Sequence, residues 1–396
     1  MDALTTPSNW QRVRLGDIAH IFDGTHQTPR YTHYGVAFFS VENIVSDKPS
    51  KFISQQDYLT ATNQNRPEYN DILLTRIGTI GVSKVVNWNY PFSIYVTLAV
   101  IKQSKYFNSY YLHYFIQSNF FQKELKNNSL LQAIPCKINM NELKKCEVIL
   151  PPLDEQIAIA NILSGLDRYL CALDALILKK ESVKKALSFE LLSQRKRLKG
   201  FNQAWQRVRL GDICEFGNGG AYETLIVENG NFKLISLNSI DIDGNLKNTM
   251  KRVNFYDNSL KQDDIVMVLS DVAHGDFLGL CAVIPSNDYV LNQRMGRLRK
   301  RNDCINILFL RLYINANQKY FKMQGQGSSQ LNLSKKAIED FEIPLPPLNE
   351  QIAIANVLSA LDSEIISLKN KKRQFDNIKK ALNHDLMSAK IRVLKK

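Results

Sequence analysis

Two segments of this 396-residue chain are written twice, and both copies keep one spacing. Residues 10–18 read WQRVRLGDI and recur unchanged at 205–213. The stretch LPPLDEQIAIANILSGLD from Leu150 recurs from Leu345 as LPPLNEQIAIANVLSALD. Each pair lies 195 residues apart. That period is far too long for a solenoid unit, so the chain is a duplicated module and not an array.

Between the repeated segments the two copies diverge, with weak matches left inside. Phe39-Ser40-Val41 answers Ile235-Ser236-Leu237, Asp71-Ile72-Leu73 answers Asp264-Ile265-Val266, and Ile138-Asn139-Met140 answers Leu331-Asn332-Leu333. Each stretch reads as mixed α/β. Short β-branched or aromatic runs at 36–41, 72–76, 81–86 and 94–101 are bounded by Gly, Asn and Pro, and a helical run follows at 109–125. The second copy repeats that order at 266–269 and 280–284, with a helix near 307–321.

The Leu-Pro-Pro segments read as helix starts, because two prolines end a strand and are tolerated where a helix begins. Asp154 and Asn349 stand at the expected N-cap, where either side chain can accept a backbone N–H. An apolar 4-3 spacing then runs through Ile162, Leu166, Tyr169, Leu173, Leu176, Val183 and Leu187. Its counterpart runs through Val357, Leu361, Leu368, Phe375, Ile378 and Leu382. Each helix is expected to extend roughly 40 residues, about 60 Å. Gly200, after the basic run Arg195-Lys196-Arg197, is expected to end the first helix, and Lys179, Lys180, Lys184 and Lys185 to lie on a solvated face. Two such helices from pseudo-symmetric copies are expected to pair as an antiparallel coiled coil. The expected domains are therefore a head at 1–150, a helix at 151–200, a second head at 201–345 and a second helix at 346–396.

A net charge of +13 points to a polyanionic partner, since cations that neutralise phosphates drive binding by counterion release. The plainer alternative is a solvated basic surface. Residues 1–10 do not read as a signal peptide and no uninterrupted apolar run is long enough to span a bilayer, so a cytoplasmic protein is expected. Six scattered cysteines without a C-x-x-C pair suggest neither zinc nor a disulfide framework, but small buried hydrophobes.

The order head, Leu-Pro-Pro helix, head, Leu-Pro-Pro helix resembles the specificity subunit of type I restriction-modification enzymes over essentially the whole chain. The two LPPL[DN]EQIAIAN[IV]LS[GA]LD segments are the strongest mark. Asp23-Gly24-Thr25-His26-Gln27-Thr28-Pro29 and Ser40-Val41-Glu42-Asn43-Ile44 are similar to segments of one common type of first head. The resemblance implies two target recognition domains, each reading half of a bipartite site in double-stranded DNA. It also implies a helical spacer on which two methyltransferase subunits dock, with motor-nuclease subunits in the full complex. S-adenosylmethionine, ATP and Mg would then sit on those partners, with no cofactor, metal or membrane contact in this chain. The residues expected at the subunit interface are Leu153, Ile157, Ile162, Leu166 and Leu173, with Leu348, Ile352, Val357, Leu361 and Leu368 in the second copy.

A rival reading makes the chain itself an enzyme. An adenine methyltransferase needs an Asn/Asp-Pro-Pro-Tyr/Phe loop for the flipped base, and every Pro-Pro here is Leu-Pro-Pro-Leu. Phe216-Gly217-Asn218-Gly219-Gly220 reads as a turn, no G-x-x-x-x-G-K-[ST] loop exists, and His20, His26 and His33 lack metal-ligand spacing. No catalytic residues are expected. A second rival is a stand-alone two-headed DNA-binding regulator without partner subunits.

The DNA-contacting candidates in the first head are Thr25, His26, Gln27, Arg30 and Arg76, with Thr79 and Lys84 nearby. In the second head, Asn292, Gln293, Arg294 and Arg297 offer amides suited to adenine and guanidinium groups suited to guanine. A strand edge guarded by charge is the equal alternative for that cluster. Ser328, Ser329 and Gln330, after Gly-Gln-Gly, read as a flexible contact loop.

Overall fold

A computed structural model describes residues 7–46, 49, 51–272 and 275–393. The chain divides into two compact units, residues 1–175 with 370–396 and residues 176–369. Each long helix spans 40 residues, Leu153–Leu192 and Leu348–Met387, and contributes residues to both units.

In the first unit the two repeated segments meet each other. The strand Gln11–Arg14 pairs antiparallel with Glu147–Leu150, which leads straight into the prolines. The second unit repeats this with Gln206–Arg209 on Glu342–Leu345, in the same register. Beyond this ladder, the first head holds a four-stranded antiparallel sheet in the order Ile21–Asp23, Leu98–Ile101, Ile72–Thr75, Ser83–Val85. A second sheet runs Tyr31–Thr32, Lys51–Ile53, Val36–Phe39, Phe92–Ile94, and its last pair is parallel. The second head has the matching sheet Cys214–Asn218, Met295–Lys300, Ile265–Val268, Cys281–Val283. Its three-stranded sheet is Arg252–Val253, Phe232–Ile235, Tyr289–Leu291.

The predicted helical runs each break in two. Asn108 caps Ser109–Ile116, and Ser118 caps a separate helix, Asn119–Asn127. Ile307–Ala316 and Gln318–Gln324 are divided at Asn317. The buried polar Asp71 and Asp264 are true counterparts. Each accepts from the backbone three residues earlier, Glu68 and Lys261, and each pairs with a cation, Lys102 and Arg299. The pairing of Ile138 with Leu331, by contrast, slips by two. Ile138 donates to Arg76 O as Leu333 donates to Leu269 O, so Leu333 is its counterpart and the 195-residue spacing holds there too.

The apolar stripe of the long helices is phased differently from the expected one. In the first helix Ile159, Leu163, Leu170, Leu173, Ile177 and Leu191 are buried, whereas Ile162, Leu176 and Val183 are exposed. Ile159 and Leu163 join the core of the first head beside Tyr111, Phe115 and Phe121, and Leu386 and Met387 of the second helix enter the same core. Ile354 and Leu358 join the core of the second head, together with Leu191 and Leu192. One face must therefore serve both a head and the partner helix, which displaces the simple 4-3 pattern.

Antiparallel pairing appears inside each unit. Asp174–Lys372 and Asp167–Lys379 pair in the first unit, and Tyr169 packs on Phe375 at 4.7 Å between ring centroids. Lys180–Glu364, Lys184–Asp362 and Glu181–Lys369 pair in the second. Lys180 and Lys184 thus face the other helix and not open solvent. Neither Asp154 nor Asn349 is an N-cap: the helices begin at Leu153 and Leu348, so both lie inside the first turn. The first helix ends at Leu192, before the basic run, with Gln194 in the left-handed region (φ 61°), and Gly200 lies in the turn beyond.

Cys146, Cys214 and Cys281 are buried, and Cys171 and Cys304 are exposed. The second long helix contains an 18-residue window of mean hydropathy 1.3, long and apolar enough by composition to cross a membrane. Its charged and amide groups Glu350 and Gln351 are nevertheless fully buried against protein partners.

Candidate nucleic-acid interface

The repeated motifs build the same clamp twice. Trp10 donates its indole N–H to Glu155 (3.2 Å), and Trp205 donates to Glu350 (3.0 Å). Each carboxylate is closed from the other side by an arginine beyond the end of the opposite long helix, Arg392 on Glu155 and Arg197 on Glu350. The hydrogen-bonded carboxylate raises the pKa of each arginine. The neighbouring glutamine does the second job. Gln156 donates to Pro151 O and accepts from Asn108 N, and Gln351 donates to Pro346 O and accepts from Asn306 N. Asn108 and Asn306 cap the head helices, so Glu-Gln couples each long helix to its head. The sequence signal was present in the repeated Glu-Gln, but a polar pair in a helix's first turn reads as solvated.

The heads carry their candidate loops at matching places. In the first, Gly24 approaches Ile94 so closely that an added Cβ would lie 2.1 Å from its carbonyl oxygen, and Thr25 bridges Tyr95 in parallel. In the second, Gly219 approaches Asn292 O to 2.0 Å by the same measure, and Gly220 bridges Asn292. Only glycine fits such backbone crossings.

Around the first crossing, His26, Gln27 and Arg30 are exposed and Thr25 is half-buried, its hydroxyl on Gln27 O. His26 Nε2 lies 3.1 Å from Asp23 Oδ2, and Arg76 Nη1 reaches that same oxygen at 3.1 Å. Arg76 also donates to Val96 O and Ile138 O and is buried, which lowers its pKa against the opposing pull of Asp23. Arg76 therefore ties three loops together beneath the surface, correcting its expected role as a direct contact. Thr79 is exposed beside Gly78. Lys84 is half-buried, its Nζ 5.8 Å from the Trp88 ring centroid, and burial lowers its pKa.

Around the second crossing, Gln293 and Arg294 are exposed, Arg294 with φ 68°. Asn292 is buried, accepting from Tyr222 N and donating to Glu223. Glu223 also takes a hydrogen bond from Gln293, the largest cause of its lowered pKa. Arg297 is committed to Glu215 and Ser259 O. Asn292 thus shapes this surface from within, a second correction, while half-buried Arg297 is held by groups of its own head. Ser328 and Ser329 are exposed at the turn before Gln330–Asn332, which pairs with Ser270–Val272.

On the long helices, Leu153, Ile157, Ile162, Leu348 and Ile352 form exposed apolar ridges, each residue between 37% and 47% exposed. Val357, Leu166, Leu361 and Leu368 are half-buried. Leu173 is buried in packing and offers no interface surface. Among the described residues no group of three or more His, Cys, Asp or Glu could hold a metal ion.

The family model for the type I restriction modification DNA specificity domain matches this chain twice, over residues 7–181 and 202–375. The chain belongs to that family. A type I restriction enzyme specificity subunit of Methanocaldococcus jannaschii, MjaVIII, is 26% identical over 99% of this chain and 95% of its own length. The fold matches the S subunit of a type I restriction-modification system from M. genitalium, with TM-score 0.65, 18% identity and 96% of each chain covered. A structure concerning complex assembly and conformational transition of the type I R-M system matches with TM-score 0.60, at 16% identity over 96% of this chain and 98% of that one. These relatives favour the specificity-subunit reading over a stand-alone regulator, and the two heads of this type I specificity subunit are its target recognition domains.

Proposed function

We propose that this chain gives a type I restriction-modification complex its DNA sequence, with each target recognition domain reading one half of a bipartite site. The carrying observation is the contrast between the two copies. The Trp-Glu-Arg clamp and the exposed helix ridges are duplicated, while the two backbone crossings differ at equivalent positions, Thr25-His26-Gln27 against Gly220-Ala221-Tyr222 and Tyr95-Val96-Thr97 against Asn292-Gln293-Arg294. A feature kept identical suits a partner that binds twice, and a feature that differs suits two different half-sites. The ridges at Leu153-Ile157-Ile162 and Leu348-Ile352 dock two methyltransferase subunits, and exposed apolar surface of this kind marks protein contacts. Val357, Leu166, Leu361 and Leu368 border the ridges.

In this reading the chain performs no catalysis. S-adenosylmethionine, ATP and Mg are bound by methyltransferase and motor-nuclease partners in the cytoplasm. Exposed His26, Gln27, Arg30, Gln293, Arg294, Ser328 and Ser329 face DNA, with Thr25, Thr79 and Gln330 at their margins. Co-expression with methyltransferase subunits, followed by long-read mapping of methylated adenine, tests this. Methylation at one bipartite site only when both components are present is expected; methyl transfer by the purified chain alone overturns it.

A further inference from the structure

The first head carries an apolar tip that its own core does not use. Residues 129–137 form a narrow hairpin, with Leu130 and Lys137 exchanging backbone hydrogen bonds. Leu130 in this closing pair is 50% exposed, and Leu131 and Ile134 in the turn beyond it are 57% and 100% exposed. Three large aliphatic side chains exposed together forgo apolar burial, so such a cluster is normally covered in the working state.

What covers it can be argued from its attachments. Gly78 N donates to Cys136 O and Cys136 Sγ to Gly78 O, which fixes the hairpin to the loop bearing Thr79. Arg76 joins Ile138 O at the base of the hairpin to Asp23, the carboxylate that also holds His26. Arg76 thus ties the base of the hairpin to the base of the Gly24–Arg30 loop. From Leu125 to Asn141 the sequence contains no carboxylate, while Lys126 and Lys137 flank the tip. An apolar patch between cations suits a polyanion with apolar centres, which describes the grooves of DNA.

The second copy supplies the independent observation. The matching hairpin there, Gln326 bridged to Asn332, carries Gly327-Ser328-Ser329 at its tip, and its one aliphatic residue, Leu331, packs against the core of its own head. Surfaces serving the duplicated partner are duplicated in sequence; these tips are opposite in chemistry, as two different half-sites require.

We propose that Leu130, Leu131 and Ile134 enter a groove of DNA and make apolar contact with bases of the half-site read by the first head. The inference rests on the specificity reading above. Two sources of apolar surface exist, thymine methyl groups in the major groove and a base step opened by a wedge.

The test uses the full chain with its methyltransferase subunits, wild type against L130S/L131S/I134S, on a duplex carrying the mapped site. The expected result is at least a tenfold loss of affinity, about 1.4 kcal/mol, with methyltransferase co-purification intact and relaxed sequence preference in the first head's half-site alone. Should the triple variant melt early, I134S, at a fully exposed position, provides the same comparison. Replacing thymine by uracil in that half-site reproduces the loss if methyl groups are the target. If uracil is silent but 2-aminopurine fluorescence at the half-site falls with the variant, the tip is a wedge. Unchanged affinity and preference, or loss of the methyltransferase subunits from the variant, overturns the proposal. A wild-type complex that methylates no bipartite site defeats the specificity reading itself, which is a separate result.

Discussion

Trp205 donates its indole N–H to Glu350 across 145 residues of chain, and that bond locks the opening strand of the second head to the first turn of a long helix. The carboxylate is wholly buried and also takes Arg197. Removing it leaves the Arg197 guanidinium and the Trp205 indole, both partly exposed, without their shared partner. E350A is expected to destabilise the second unit and lower its urea midpoint, because the buried carboxylate is the shared partner of both groups. E155A should do the same to the first unit. Urea unfolding followed by head-specific tryptophan or label fluorescence measures both. An E350A/W205F double variant is expected to lose less than the sum of the two single variants, because both act on one bond.

The exposed ridges make a different kind of prediction. I157D and I352D place a carboxylate on surface that is already solvated, so melting should shift little. Each should remove one methyltransferase subunit from the purified complex, and the double variant both. Mass measurement of the assembled complex decides. Two subunits retained by the double variant would remove the ridges from the interface.

Much of this was legible in sequence. The duplication announced two heads and two helices, and helix lengths of 40 residues followed from the apolar spacing. What could not be read was where polar side chains point. Arg76, Asn292 and Arg297 look like DNA contacts because an arginine or amide near glycine usually sits outside, yet each satisfies backbone or carboxylate groups of its own head. Periodicity likewise cannot say which of two neighbours a helix face packs on, so Ile162 and Leu173 looked alike although one is exposed and the other buried. The glutamate of Leu-Pro-Pro-Leu-x-Glu-Gln was hidden for a related reason: its partners, Trp10 and Arg392, lie 145 and 237 residues away.

His113 gives a pH signature. Burial pushes its imidazole down from 6.5 to about 4, while one ring nitrogen contacts Ser83 and the other Gln117. A depressed folded value means the unfolded chain takes the proton first on acidification. The stability contribution is therefore present above pH 6.5 and falls away toward pH 4. H113Q should flatten the slope of unfolding free energy against pH in that window. An unchanged slope would show that the imidazole titrates freely in the folded head.

The heads should be separable in what they read. Replacing residues 22–145 with the corresponding segment of a relative leaves Trp10, Glu155 and Gln156 in place, and so preserves the clamp that seats the head. Methylation mapping should show one half of the site changed and the other intact. Simultaneous change of both halves would contradict independent reading.

The long helices should act as a ruler, and the structure says where to cut. An insertion between Leu187 and Arg195 falls where Leu187, Leu191 and Leu192 pack into the second head, and would disturb reading as well as spacing. The division between units lies instead after Ala175 in one helix and after Lys369 in the other. Asp174–Lys372 and Lys180–Glu364 flank those points, so lengthening one helix alone would slide these pairs out of register. A heptad added to both helices nearly preserves each apolar stripe, because seven residues make almost two turns. It lengthens each helix by about 10 Å, which at 3.4 Å per base pair corresponds to at most roughly three base pairs. Rotation about the duplex opposes the full shift, so a gain of one to three base pairs between unchanged half-sites is the expected outcome of methylation mapping. An active complex that keeps its original gap would mean the helices do not set the spacing.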